Sequence, residues 1–193
     1  RQKKLSRFLF ASTSEVYAGT LKHFNLPMPT PEATPLAVTN LSHPRTSYML
    51  SKIYGEALCQ QSGLPFTVFR PHNVYGPDMG WEHVIPQFIL RMKSIIDKEM
   101  GNITFPIQGS GNETRAFIFI DDFTDALTKI IENGKNLEVY NIGTNNEISI
   151  EDLARKVGYY FNVDIKIESG DIAKGGTLRR CPDVSKITNL GFI

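Results

Sequence analysis

Cysteine is scarce: Cys59 and Cys181 are the two thiols in 193 residues. Two thiols exclude a disulfide framework, and a reducing, cytoplasmic setting is the simpler expectation. Long apolar runs are missing as well. None approaches the roughly 18–20 residues that a membrane span needs. The run Phe8-Leu-Phe-Ala11 is too short for the apolar core of a signal peptide. Charge of one sign is absent: 21 Lys plus Arg stand against 20 Asp plus Glu, for a net charge of +1. There is no polybasic field, and no nucleic-acid partner is expected. Fifteen glycines and 11 prolines are too few and too scattered for a fibrous or disordered chain. The histidines, His23, His43, His72 and His83, show no metal-ligand spacing, so no metal is expected. There is no internal repeat.

What is present reads as strands alternating with helices. The apolar run 7–12 predicts a short buried strand, ended by the hydroxyl cluster Ser12-Thr13-Ser14. A polar loop then runs from 18 to about 43 and holds Pro27, Pro29, Pro31 and Pro35. Ser42 as N-cap and Pro44 in the first turn predict a helix to about Gln61, stopped at Gly63. Its apolar stripe is Met49, Leu50, Ile53, Tyr54, Ala57 and Leu58. Phe66-Thr-Val-Phe69 predicts a second strand, ending at Arg70-Pro71. Further helices are predicted over 85–96, from Asp121 to about Glu132, and behind the cap Ser149 through Phe161. Further strands are predicted over 116–120, 137–142 and 163–168, with a loop-like tail at 170–176. Strand, helix and strand in this order imply a parallel crossover and an α/β class. A soft boundary near Gly76 divides 1–76 from 77–193, with the two parts interleaved.

Tyr48 and Lys52 are four apart on the predicted helix, so their side chains leave one face. A tyrosine is a poor base at neutral pH because its reference pKa is about 10. A nearby ammonium favours the phenolate. The spacing alone is weak, since a chain of this composition yields roughly 0.4 such pairs by chance. Context strengthens it. The helix follows a strand that ends in hydroxyls and precedes one that ends in Arg70-Pro71-His72-Asn73. Ligands of open α/β sheets gather at such carboxyl ends. Asp121 and Asp122 read as helix-opening acids, Tyr17 and Tyr75 as packing residues, Cys59 as a core thiol and Cys181 as a loop thiol.

Six segments then carry a resemblance. They are Phe10-Ala-Ser-Thr-Ser-Glu-Val-Tyr17, Tyr48-Met-Leu-Ser-Lys52, Arg70-Pro-His-Asn-Val-Tyr-Gly-Pro77, Arg115-Ala-Phe-Ile-Phe-Ile-Asp-Asp122, Tyr140-Asn-Ile-Gly143 and Arg180-Cys-Pro-Asp183. In this order they resemble the extended short-chain dehydrogenase/reductases, and among them the NAD-dependent sugar-nucleotide epimerases and dehydratases. The resemblance implies the C-terminal part of a Rossmann-type parallel sheet plus a small α/β substrate-binding region. It implies NAD as cofactor and a nucleotide-diphosphate sugar as substrate. Thr13, Tyr48, Lys52 and Glu15 become the catalytic set. Thr13 would hydrogen-bond the sugar oxygen, Tyr48 would move the hydroxyl proton, and Lys52 would hold the nicotinamide ribose. Ser12, Tyr48, Lys52, Pro71 and His72 become the cofactor set. Ser14, Asn73, Val84, Ile85, Arg115 and Arg180 become the substrate set, with Arg115 and Arg180 on the diphosphate or nucleoside. The helix bearing Tyr48 would pair with its counterpart in a homodimer of the full-length parent.

Two departures matter. The family's glycine-rich turn is missing, since the first 60 residues hold only Gly19 and Gly55. The strand 7–12 would be about the family's fifth. The chain is therefore expected to be the C-terminal part of a larger enzyme, binding NAD poorly and inactive by itself. Second, 4,6-dehydratases place an Asp-Glu pair after the catalytic Thr, whereas Ser14-Glu15 stands here. That favours an epimerase acting through a transient 4-keto sugar. A UDP-glucuronate decarboxylase comes second, a dehydratase third. A non-catalytic sugar-nucleotide-binding relative is the alternative of another class.

Overall fold

The structure is a computed structural model and describes residues 6–24, 27–97, 103–172 and 176–193. Positions 173–175 of the expected tail lie outside the described residues. In chain order the elements are β1 (Phe8–Ala11), α1 (Ala18–His23), α2 (Thr46–Gln61), β2 (Phe66–Pro71), β3 (Val74–Tyr75), α3 (Val84–Ile96), β4 (Ile103–Ile107) and β5 (Thr114–Ala116). There follow β6 (Ile118–Phe119), α4 (Ile120–Asn133), β7 (Glu138–Ile142), β8 (Glu147–Ser149), α5 (Ile150–Tyr160), β9 (Ile165–Ser169), β10 (Arg179–Arg180) and α6 (Ser185–Thr188). They fall into two compact units: Arg1–Val74 with Ala116–Asn146 and Arg180–Ile193, and Tyr75–Arg115 with Glu147–Arg179.

The first unit is built on a parallel sheet in the order β1-β2-β7. Phe10 stands opposite Val68, and Phe69 opposite Tyr140. β2 is central, and Phe66 through Arg70 are all buried, as expected of a parallel strand covered on both faces. One face carries Phe66, Val68 and Cys59 of α2, with Phe10 and Val139 packed against them. The other carries Phe69, Tyr140 and Ile142 against Ala126 and Ile130 of α4, Ile187 of α6, and Ile118. This is an α/β fold with a parallel sheet and helices on both sides.

α2 stops where Gly63 takes a positive φ of 67°, a conformation that glycine adopts without Cβ strain. Its start differs from the expectation. Ser42 does not cap it; its N–H and hydroxyl both donate to Asn40 Oδ1, at 2.9 and 2.8 Å. That local turn satisfies Ser42 before the helix begins, and α2 starts at Thr46. The six-residue stripe also divides. Met49 is buried, whereas Leu50, Tyr54 and Leu58 are exposed. The polar stretch 18–43 contains α1, and the strand expected over 116–120 is two short strands with α4 already begun at Ile120.

In the second unit β4 and β9 pair in parallel, Phe105 opposite Ile167. α3 and α5 pack on this pair. Ser149 caps α5 by accepting a hydrogen bond from Asp152 N at 2.9 Å. β4 was not anticipated, because Pro106 interrupts an otherwise alternating Ile103, Phe105, Ile107 pattern. The proline is tolerated because β4 pairs on one side only and Pro106 lies on its exposed face. Among the described residues no helix is long and apolar enough to cross a membrane.

Candidate functional site

α2 and the carboxyl end of β1 bring the first group together. Lys52 Nζ donates to Ala11 O at 2.9 Å and lies 5.8 Å from the Tyr48 ring centroid. Tyr48 is half exposed. One turn before Tyr48, Arg45 NH1 donates to Glu15 Oε1 at 3.2 Å. The strand end is therefore tied to the helix on both flanks of Thr13 and on both flanks of Tyr48. Thr13 itself has an extended backbone, and its Oγ1 accepts from Glu15 N at 3.2 Å, capping a single 3-10 turn over Ser14–Tyr17. Ser14 is buried.

Glu15 is held by two arginines, since Arg180 NH1 also donates to its Oε1 at 2.7 Å. Burial acts to raise the Glu15 carboxyl. The charge and hydrogen bond of Arg180, then Arg45 and His43, outweigh it and hold the group below the usual carboxylate range. Arg180 Nε is buried without a hydrogen-bond partner.

Ser12 was assigned to the cofactor, but its hydroxyl turns inward and donates to Glu56 Oε1 at 2.5 Å. Glu56 in turn accepts from Arg70 Nε at 2.9 Å and from Arg70 NH2 at 2.5 Å. Arg70 also donates to Tyr17 Oη and to Glu32 O. Tyr17 donates to Asn141 Oδ1 at 2.8 Å, and burial pushes its phenol up to about 12. Tyr17 is thus a buried polar link as well as a packing residue. His72, 1% exposed, shares Asn141 Oδ1 through Nε2 at 3.2 Å, and burial pulls its imidazole down to about 3. It is a neutral ring behind the strand end. Pro71 ends β2 beside it. Asn73 takes a φ of 39°, and its Nδ2 donates to Ala116 O at 2.9 Å. The sequence reading singled out Arg70 at its strand end and Asn141 within a motif, but gave neither a partner, and it did not single out Glu56 or Arg45. Glu56 alone carried a local signal, standing four residues past Lys52 on the same helix face.

Val84, Ile85 and Arg115 belong to the second unit. There a cavity of about 210 Å³ is lined by Val84, Gln87 and Phe88 on one turn of α3, with Arg91, Glu113 and Arg115 among the other residues. Ile85 does not line it. Arg115 donates to Thr114 O at 2.6 Å and Thr177 O at 2.8 Å, which fixes its guanidinium at the wall. Glu113 accepts from the backbone of Ser110 and Gly111 and pins the Gly109–Gly111 turn. Both thiols are buried, Cys181 at 1% exposure. Among the described residues no group of three His, Cys, Asp or Glu is placed to hold a metal ion.

The model of the NAD dependent epimerase/dehydratase family matches residues 1–143. The chain belongs to that family. It is 32% identical over 157 residues to the human dTDP-D-glucose 4,6-dehydratase, covering 81% of this chain and 41% of that one. It is 32% identical to GDP-L-fucose synthase of Sinorhizobium fredii, covering 75% of this chain and 48% of that one. The chain thus spans less than half the length of these curated relatives. Among solved structures, UDP-glucose 4-epimerase of Thermotoga maritima superposes with a TM-score of 0.77 at 26% identity, over 98% of this chain and 58% of that one. The dTDP-glucose 4,6-dehydratase DesIV of Streptomyces venezuelae, solved with NAD, superposes with a TM-score of 0.74 at 25% identity, over 98% and 55%.

The family is NAD-dependent, and the residues present fit one end of that cofactor. Lys52 has three N–H donors, of which Ala11 O takes one in an exposed contact. The others suit the nicotinamide ribose. No residues of the glycine-rich turn that would seat the pyrophosphate occur in the sequence.

Proposed function

We propose that the chain carries the acid–base and nucleotide-sugar-binding residues of an NAD-dependent nucleotide-sugar epimerase. The observation that supports this reading is the fixing of the Tyr48–Lys52 helix against the end of β1, with Thr13 between two tie points. Tyr48 takes the proton of a sugar hydroxyl. Thr13 donates to the oxygen on which charge develops. Lys52 holds the ribose and keeps a positive charge beside the phenol. When bound, NAD supplies the hydride acceptor. In the first unit Arg180, with its buried unpartnered Nε, suits the diphosphate, where a guanidinium fork matches phosphate oxygens. Taken by itself, the cavity of the second unit, with Arg115 on its wall, suits a nucleotide. The whole protein acts as a homodimer through the exposed side of α2.

Epimerisation is preferred over dehydration because Ser14 offers no ionisable acid next to Thr13. Glu15, held low by Arg180 and Arg45, is a carboxylate at neutral pH and a weak base. The second reading is a 4,6-dehydratase, favoured by the identity to the human relative.

The test is to incubate the full-length protein with NAD and UDP-, GDP-, CDP- and dTDP-sugars, and to read products by mass and NMR. A product of unchanged mass is expected. Loss of water would select the dehydratase, and loss of carbon dioxide a decarboxylase. No turnover on any of them would favour a non-catalytic binding protein. Tyr48→Phe should lower turnover by at least about 10²-fold, the usual worth of a general base.

A further inference from the structure

Three successive residues at the end of β1 are each held by one residue of α2. Phe10 packs so tightly on Gly55 that a Cβ there would lie 2.3 Å from Phe10 Cζ. Ala11 O accepts from Lys52 Nζ at 2.9 Å, and Ser12 Oγ donates to Glu56 Oε1 at 2.5 Å. Lys52, Gly55 and Glu56 stand at i, i+3 and i+4, on one helix face. Among these three, Glu56 is also anchored to β2. Both its carboxylate oxygens accept from Arg70, in a bidentate pair. Arg70 and Glu56 are 4% and 7% exposed. Arg70 is itself fixed by Tyr17 Oη and Glu32 O.

A buried ion pair is poor evidence for stability, since apolar side chains of similar volume often serve as well. It differs from an apolar contact in being directional. Apolar packing, as of Phe10 on Gly55, sets how closely the helix approaches the strand. The hydrophobic effect has no preferred direction, however, and pins no atom to a single partner. A carboxylate gripped at both oxygens does not slide. Tyr48 lies two turns from Glu56 on the same rigid helix, roughly 12 Å along its axis at 1.5 Å per residue. A slip at Glu56 therefore moves Tyr48 by the same amount relative to Thr13.

We propose that Glu56, braced by Arg70, is a positioning residue that sets the register of α2 on β1 and so the spacing of Tyr48 from Thr13. The proposal rests on the enzymatic reading above, because only that reading gives the Tyr48–Thr13 spacing a task. A misplacement of about 1 Å in such a site costs on the order of 10²-fold in rate.

The test uses the full-length protein carrying the paired substitution Glu56→Leu/Arg70→Met, which removes both charges and keeps apolar volume. It should melt as cooperatively as the parent. KM for the nucleotide sugar should stay within about threefold while kcat falls by at least tenfold, a rate loss without a binding loss. In its crystal structure the Lys52 Nζ–Ala11 O contact should lengthen beyond hydrogen-bond reach. A folded variant with parental kcat, or with that contact still at 2.9 Å, overturns the proposal. If the paired variant does not fold, Ser12→Ala removes only the strand-side partner of Glu56, and the same lengthened contact and kcat loss are expected. Retention of both would overturn it equally. Tyr48→Phe is run beside them. Parental turnover in that variant would sink the enzymatic reading, whereas the structural measurement of α2 register stands apart from it.

Discussion

At the residue scale, His72 ties the buried polar network to pH. Its imidazole is pulled down to about 3 in the fold by burial, from an ordinary 6.5. Between those values the unfolded chain binds a proton there and the folded chain does not. Stability therefore falls as pH drops through that window, on the order of 1 kcal/mol per pH unit. Glu15 and Glu113 are held below the usual carboxylate range, so they add a further loss as pH falls through their folded values. Glu32, pushed up mainly by burial, works in the opposite sense. The expected outcome is a melting temperature that declines from pH 6.5 to pH 4, and declines less in His72→Gln, whose amide can still reach Asn141. Parallel curves for the two proteins would clear His72 of the effect. This part of the molecule was only partly legible beforehand. Tyr48 and Lys52 could be paired from the sequence because a helix fixes residues four apart. Glu56 and Arg70, or Glu15 and Arg180, meet only after the sheet has brought distant segments together, and no local period marks such partners. Ser12 entered the cofactor set through the resemblance, and nothing local marks its partner Glu56, 44 residues away.

At the element scale, α2 shows which features can be read ahead and which cannot. Its end was legible because Gly63 has a backbone role that few other residues fill. Its start was not, because Asn40 competes for Ser42. β4 was missed for its proline, and α1 because a polar, proline-rich stretch gives no apolar period. Gly55 offers a test of how closely α2 must approach β1. In an exposed helix, Gly→Ala stabilises by up to about 1 kcal/mol. Here the added Cβ would meet Phe10 Cζ at 2.3 Å, and a rigid aromatic ring backed by the sheet yields poorly. Overpacking of this kind typically costs about 1–3 kcal/mol. Gly55→Ala should therefore lower the urea midpoint, and a second change, Phe10→Leu, should recover part of the loss. A raised midpoint in Gly55→Ala alone would show that the ring moves aside freely.

At the scale of the whole molecule, the proposed homodimer rests on the exposed side of α2. Leu50, Tyr54 and Leu58 recur every four residues and are 38%, 66% and 53% exposed, while Met49 and Cys59 of the same helix are buried. The helix thus has two apolar sides, and the sheet covers one. A second copy related by a twofold axis would lay the outer side against itself, an isologous contact in which each leucine finds its counterpart. A contiguous apolar stripe of this kind marks an interaction surface more often than chance exposure does. The proposed homodimer predicts that the full-length protein sediments as a dimer, and that Leu50→Glu/Leu58→Glu sediments as a monomer with far-UV dichroism unchanged. Because both positions face outward, the substitution places charge at the dimer contact and not in the core. A parent that sediments as a monomer, or a doubly substituted protein that stays dimeric, would remove α2 from the assembly.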